Sequence, residues 1–410
     1  MLRQAAVVTV ALAVLAGPAV GLEQCIGTSV PKPDNPYRFS ALATDASGRL
    51  YLCDDDTVYR FDVATRAFVT VVSGISSSTG VEIDPSTLAV TPDGTMAYVA
   101  AGYSGCVVEV DLVGGTSRDL PGAIAPVSNI GIATDPVHGM VFVTDSYTQQ
   151  LDRVETAGDG SLVYLDNFGD TAAFGGGIAF TPGGELIVPV PVGYAAWPAD
   201  DNFPVDLYRF SRAWLDDLAD GTVTEDAGQL YASGVSVSGS NAMAADKRGN
   251  AYLWAVDAIY AVDSAGQTTA LVGAPGLNAF DMIGYGYMAI AYDAVQDRLL
   301  YAYTDSPAED YVLYQYLLGD EIVPGDCDRD GDVDAADLAA LGLAWGPSAD
   351  DRLWQQGNFG ANGNVDAVDL AALGLNWNPD GTGAPAPEPA TLALVAAGAV
   401  AMAAARQRRA

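Results

Sequence analysis

Histidine is almost missing from this 410-residue chain, with His138 the only one. A single imidazole excludes every zinc site built on two or three histidines, including the HExxH and three-His arrangements. A Ser-His-Asp triad would have to run through His138, which sits in the turn-like sequence Asp135-Pro136-Val137-His138-Gly139. Basic residues are scarce as well, 18 Lys plus Arg against 52 Asp plus Glu, for a formal charge of -34. Such a field repels phosphates, so nucleic acid and anionic lipid are poor partners, and cations or neutral ligands are better ones. The four cysteines allow three pairings, among which the sequence does not choose. The length suits two or three domains, or one large all-β domain with appendages.

Both ends read as addresses. Arg3, the apolar run from Ala5 to Ala16 and the small residues Ala19-Val20-Gly21 form the three parts of a secretory signal peptide, the run being too short for about 30 Å of hydrocarbon. This places residues 1–21 in the signal, with an uncleaved anchor as the alternative. At the other end, Pro387-Glu388-Pro389 precedes the uncharged segment Ala390 to Ala405 and the cluster Arg406, Arg408 and Arg409. Positive charge beyond a short apolar segment marks the cytoplasmic side of a weak transmembrane anchor. The arrangement closely resembles a PEP-CTERM sorting signal, assigned to residues 381–410. The resemblance implies recognition by an exosortase in the inner membrane and a final place at the cell surface or in an extracellular matrix.

Inward of the tail lies a tandem repeat. Gly325 to Trp345 and Gly357 to Trp377 align at an offset of 32 residues, with 13 of 21 positions identical. In the first copy Asp326, Asp328, Asp330, Asp332, Asp334 and Asp337 fall at positions 1, 3, 5, 7, 9 and 12 of an EF-hand-like loop, with Gly331 at position 6. A cation of Ca²⁺ size takes six to eight oxygens, and this spacing wraps oxygens around one point, position 7 giving its backbone carbonyl. The second loop offers Asn358, Gly360, Asn362, Asn364, Asp366 and Asp369 at the same positions and is the weaker site. Leu338, Leu341 and Trp345 mark one apolar helix face, expected to pack on Leu370, Leu373 and Trp377. Residues 324–380 resemble a type I dockerin, which carries two Ca²⁺ loop-helix repeats with Asp at position 12. That resemblance implies attachment to a cohesin-like protein. The pairs Ala335-Ala336 and Ala367-Val368 depart from the family's usual recognition residues at positions 10 and 11, so a calcium-stapled spacer stands as the alternative.

Residues 22–323 carry a longer repeat. Apolar segments ending in turns recur at Leu42–Gly48, Ala89–Gly94, Ile132–Pro136, Ala179–Gly184, Ala244–Gly249 and Ile290–Asp293, each followed by a β-type run such as Tyr51 or Tyr252 centres. The turn glycines Gly48, Gly94, Gly139, Gly184 and Gly249 recur mostly at about 45 residues, the period of a β-propeller blade. Six units predict a mainly β, six-bladed propeller followed by a small helical unit; seven blades or a sandwich are the alternatives. The fourth unit is long, with an insertion from about Pro189 to Leu230 that includes a helix near Ala213–Ala219, and Gln24–Val30 is expected to close the last blade. The body resembles the YVTN/NHL/lactonase-like propellers. Calcium-dependent lactonases of that kind imply an axial site, here placed at Glu82, Asn129, Asp145 and Asn241.

Two function classes follow. The first is a surface-displayed, non-catalytic protein whose propeller recognises an extracellular polysaccharide or a protein. The second is an extracellular hydrolase of glycosidic, lactone or ester bonds. No nucleophile, base or cofactor motif stands out in the chain, which favours the first.

Overall fold

The computed structural model describes residues 23–30, 41–54, 56–75, 87–100, 107–120, 129–145, 150–158, 162–167, 177–191, 203–222, 228–237, 243–254, 258–273, 289–303, 311–318, 323–347, 352–360 and 363–379. Twenty-four strands form six four-stranded antiparallel sheets. Blade one holds β2–β5 (Ala41–Thr44, Leu50–Asp54, Thr57–Asp62, Ala67–Ser73), and blade two holds β6–β9 (Thr87–Val90, Met96–Ala100, Val107–Asp111, Thr116–Leu120). Blade three is β10–β13 (Asn129–Thr134, Val141–Asp145, Gln150–Val154, Leu162–Asn167) and blade four β14–β17 (Ala179–Phe180, Leu186–Pro191, Phe203–Phe210, Gln229–Val237). Blade five is β18–β21 (Met243–Ala245, Ala251–Trp254, Ala258–Val262, Thr268–Gly273). Blade six runs β22, β23 and β24 (Ala289–Asp293, Arg298–Tyr303, Tyr311–Leu317) and takes its outer strand from the N-terminal segment, β1 (Glu23–Val30).

The innermost strands touch in a closed cycle, β2, β6, β10, β14, β18, β22 and back to β2. Six blades thus close the ring, and the seven-bladed and sandwich alternatives fall. Period-two alternation explains the packing, because successive side chains point to opposite faces of a sheet. In β2, Ala41 and Ala43 pack on blade two with Leu88 and Val90, whereas Leu42 packs on blade six with Ala291 and Leu300. Each pair of neighbouring blades shares one such core. Both faces of the inner strands are therefore buried, and those strands read as apolar runs, whereas outer strands such as β5 and β9 stay partly exposed.

The five turn glycines all take positive φ, from 67° to 84°, a conformation that costs most residues energy and glycine little. Blade six lacks such a glycine; Asp297 adopts φ 48° there instead. The expected insertion in blade four is smaller than its sequence span, since Phe203–Phe210 is the blade's third strand and Gln229–Val237 its fourth. Between them lies α1 (Arg212–Ala219), N-capped by Ser211 and burying Trp214, Leu215 and Leu218.

After β24 the chain forms the repeat unit. Helices α2 (Ala335–Ala344) and α3 (Ala367–Leu375) are each opened by a capping box, Asp334 with Asp337 and Asp366 with Asp369. Leu341 and Leu373 are buried between them, with Leu338, Leu370, Trp345 and Trp377 packed around, as the helical spacing predicts. Two bridges close the pair, Val333 with Asn378 and Gly346 with Val365. Each is the image of the other at the repeat offset, so each copy completes its partner.

Candidate metal centre

The first loop gathers its carboxylates in two groups of three. Oxygens of Asp326, Asp328 and Asp330 lie within 4.8 Å of one another, and so do those of Asp332, Asp334 and Asp337. Gly331 makes the central turn at φ 98°. Asp337 is 1 % exposed; its Oδ1 accepts from Cys327 N at 2.6 Å and its Oδ2 from Asp334 N at 2.8 Å, tying the loop's end to its beginning. Asp326, only 6 % exposed, accepts from Gly331 N through Oδ2 at 3.2 Å, while its Oδ1 is buried with no hydrogen-bond partner. Asp332 Oδ1 is buried in the same state.

The electrostatics record the crowding. Burial, reinforced by the charges of Asp337 and Asp328, pushes the Asp326 carboxyl up to about 6. Burial and the charges of Asp337 and Asp330 raise Asp328, and burial with Asp330 and Asp334 raises Asp332. Carboxylates packed this way shed charge unless a cation supplies the opposite sign. The donor set is all oxygen, which suits a hard divalent cation of Ca²⁺ type.

The second loop keeps the frame and loses the charge. Asp369 Oδ1 accepts from Phe359 N at 2.8 Å and Oδ2 from Asp366 N at 2.9 Å, matching the bonds of Asp337. Asn358 at position 1 is buried and donates to Arg352 O at 2.7 Å. Asn364 and Asp366 are in the described part of the loop, whereas Asn362 lies outside the described residues.

On the propeller axis, a cavity of about 350 Å³ is lined by all six inner strands. Its wall is largely apolar, with Leu42, Leu88, Ile132, Ile178, Met243 and Ile290. Of the expected axial residues, Asn129 and Asp145 are register partners at one end of β10 and β11. Glu82 and Asn241 lie outside the described residues, as do residues 1–22 and the tail with Pro387, Glu388, Pro389, Arg406, Arg408 and Arg409. Among the described residues no helix is long and apolar enough to cross a membrane; the segment 390–405, read as an anchor, is outside them.

His138 belongs to a surface clamp. Its Nε2 lies 2.8 Å from Asp216 Oδ1, which also accepts from Arg212, and Arg212 reaches Asp135 Oδ1 at 3.0 Å. The imidazole thus fastens α1 to the turn of blade three.

Residues 385–409 match the PEP-CTERM protein-sorting motif. The motif marks a secreted chain sorted at the membrane through its C-terminus by an exosortase. No curated protein matches the chain. Among solved structures the chain is similar to a gluconolactonase of Xanthomonas campestris, at 14 % identity and TM-score 0.49, covering 73 % of this chain and 90 % of that one. An auxiliary nutrient binding protein of Bacteroides thetaiotaomicron is similar at 11 % identity and TM-score 0.47, over 68 % and 69 % of the two chains. A calcium-binding regucalcin of Agrobacterium tumefaciens is similar at 13 % identity and TM-score 0.46, over 71 % and 92 %.

Proposed function

We propose that this chain is a surface-sorted calcium-binding protein in which the first acidic loop holds one Ca²⁺ and the propeller is a recognition body for an extracellular polysaccharide or protein. The observation that carries the calcium reading is the buried, unpartnered Asp326 Oδ1 inside a loop of six aspartates. A buried acceptor without a donor costs about 1–3 kcal/mol, more when charged, and a cation removes that cost. Asp326, Asp328, Asp330, Asp334 and Asp337 would supply side-chain oxygens, and Asp332 its carbonyl. The ion supplies positive charge that lets all these groups ionise together. The repeat pair reads as a dockerin-like attachment unit for a cohesin-like partner. Exposed helix positions give it an apolar face, Ala339 and Leu343 on α2 with Ala371 and Leu375 on α3, which supports docking, while Ala335-Ala336 and Ala367-Val368 differ from the usual recognition pairs.

Calorimetric titration of the mature chain tests the reading. One strong Ca²⁺ site that disappears in Asp326→Asn and Asp330→Asn supports it. Titration heat untouched by those substitutions and lost in Asn129→Ala would move the cation to the propeller. That result would favour the second reading, a calcium-dependent hydrolase of lactone, ester or glycosidic bonds, which rests on the in-register pair Asn129 and Asp145.

A further inference from the structure

The repeat unit is joined to the propeller by more than the chain. Arg329, at position 4 of the first loop between Asp328 and Asp330, takes φ 62°. From there its guanidinium leaves the loop and donates to three backbone carbonyls of blade six: Gln296, Asp297 at 2.8 Å, and Leu318. Leu353 enters the core between blades six and one, and Leu317 of β24 enters the core of the repeat unit. Gln355 donates to Gln296 Oε1 at 2.8 Å and to Gln315 Oε1 at 3.3 Å. Blade six is the blade whose outer strand, β1, comes from the other end of the chain and closes the ring.

Arg329 is held from both sides. Its backbone lies between Asp328 and Asp330, at positions 3 and 5 of the loop, and its guanidinium ends on three carbonyls of blade six. An ion that fixes the carboxylates on either side fixes the backbone from which this side chain reaches, so loop order and blade contact are coupled through one residue.

We propose that the first loop is a calcium-dependent clamp on the closing blade: ion binding fixes the loop backbone around Arg329, holds its guanidinium on blade six and thereby protects the junction of β1 with β24. This inference rests on the calcium reading of that loop. It differs from a flexible attachment unit, whose ion occupancy would leave the propeller unchanged.

The test is hydrogen exchange on the intact mature chain, with Ca²⁺ or with chelator, beside calorimetry. In the wild type, Ca²⁺ is expected to slow exchange of the β1 and β24 amides by about tenfold, as closing one or two hydrogen-bonded contacts does. Arg329→Ala is expected to bind Ca²⁺ at the same stoichiometry and to lose that protection, and Arg329→Lys to recover part of it. Calcium bound by the wild type with exchange in β1 and β24 unchanged would overturn the clamp while leaving the calcium site standing. So would full protection in Arg329→Ala. Absence of binding heat in the wild type would overturn the calcium reading and the clamp together. Should Arg329→Ala fail to fold, the wild-type pair of measurements decides alone.

Discussion

At position 1 of the first loop stands Asp326 and at position 1 of the second stands Asn358, both buried. The asparagine amide finds the carbonyl of Arg352, whereas one oxygen of the aspartate finds no donor. Around them the two loops share the same frame, from the capping boxes to the bonds that Asp337 and Asp369 accept from the backbone. The two loops thus keep one frame with different charge, and positions 1, 3 and 5 are where they part. At position 1 the second loop answers burial with a neutral amide; in the proposed reading the first leaves the answer to a cation.

The largest effect should come from position 12. Asp337→Ala removes two backbone acceptor contacts and an ion ligand, and should cost about 3–5 kcal/mol in Ca²⁺. Asp369→Ala leaves three backbone N–H groups, of Phe359, Gly360 and Asp366, without their acceptor and should cost about 2–3 kcal/mol whether Ca²⁺ or chelator is present. Denaturant unfolding under both conditions measures the difference, and equal calcium dependence in the two variants would erase the contrast between the loops. Next, Asn358→Asp places a carboxylate in a buried site beside Gly360, where no charged partner at position 3 awaits it. It should destabilise by about 2–3 kcal/mol without adding a second titratable Ca²⁺ site.

Proton linkage gives a smaller effect confined to the first loop. The folded Asp326 carboxyl lies at about 6 against an ordinary 3.8, so the ion-free folded chain holds a proton that the unfolded chain releases. That contribution, about 2–3 kcal/mol at 1.36 kcal/mol per unit, is fully present below pH 3.8 and is lost as pH rises through 6. Thermal unfolding in chelator should show the repeat unit losing stability between pH 4 and 6, and the loss should shrink in Asp326→Asn to the part that the raised Asp328 and Asp332 supply. Calcium should reverse the trend, because the ligand must be deprotonated to bind.

Much of this was legible in residue order. Turn glycines at a near-constant spacing mark the blades, because the tight turn after each inner strand needs positive φ, and the first loop shows itself through carboxylates two residues apart around Gly331. The N-terminal closing strand follows from counting strands, since blade six otherwise has three. The docking of Arg329 on blade six was not legible: three carbonyls from residues 296, 297 and 318 leave no pattern near position 329. Nor was the turn of blade six, where Asp297 does a glycine's work. Leu353, beside Trp354 in the short link between the two repeats, gave no sign that it fills a propeller core while its neighbour fills that of the repeat unit.

An orphan oxygen does not always call for a metal, and the propeller supplies the contrast. Asp45, Asp135 and Asp246 stand at one equivalent position in blades one, three and five, two residues beyond Ala43, Ala133 and Ala244. Those alanines face Tyr51, Phe142 and Tyr252 in register on the next strand. Tyr51 and Tyr252 donate their hydroxyls to Oδ2 of Asp45 and Asp246, at 3.2 and 2.8 Å. Phe142 has no hydroxyl, and Asp135 Oδ2 is the oxygen left buried without a partner. Its other oxygen is held by Arg212 and Val137 N, so what this site lacks is one donor. Phe142→Tyr should therefore stabilise the propeller by about 1 kcal/mol, seen as a rise of a few degrees in its unfolding midpoint, equal in Ca²⁺ and in chelator. A calcium-dependent gain at Phe142→Tyr would mean that an ion, and not a missing phenol, answers the orphan oxygen of blade three, and the distinction between the two kinds of orphan would fall.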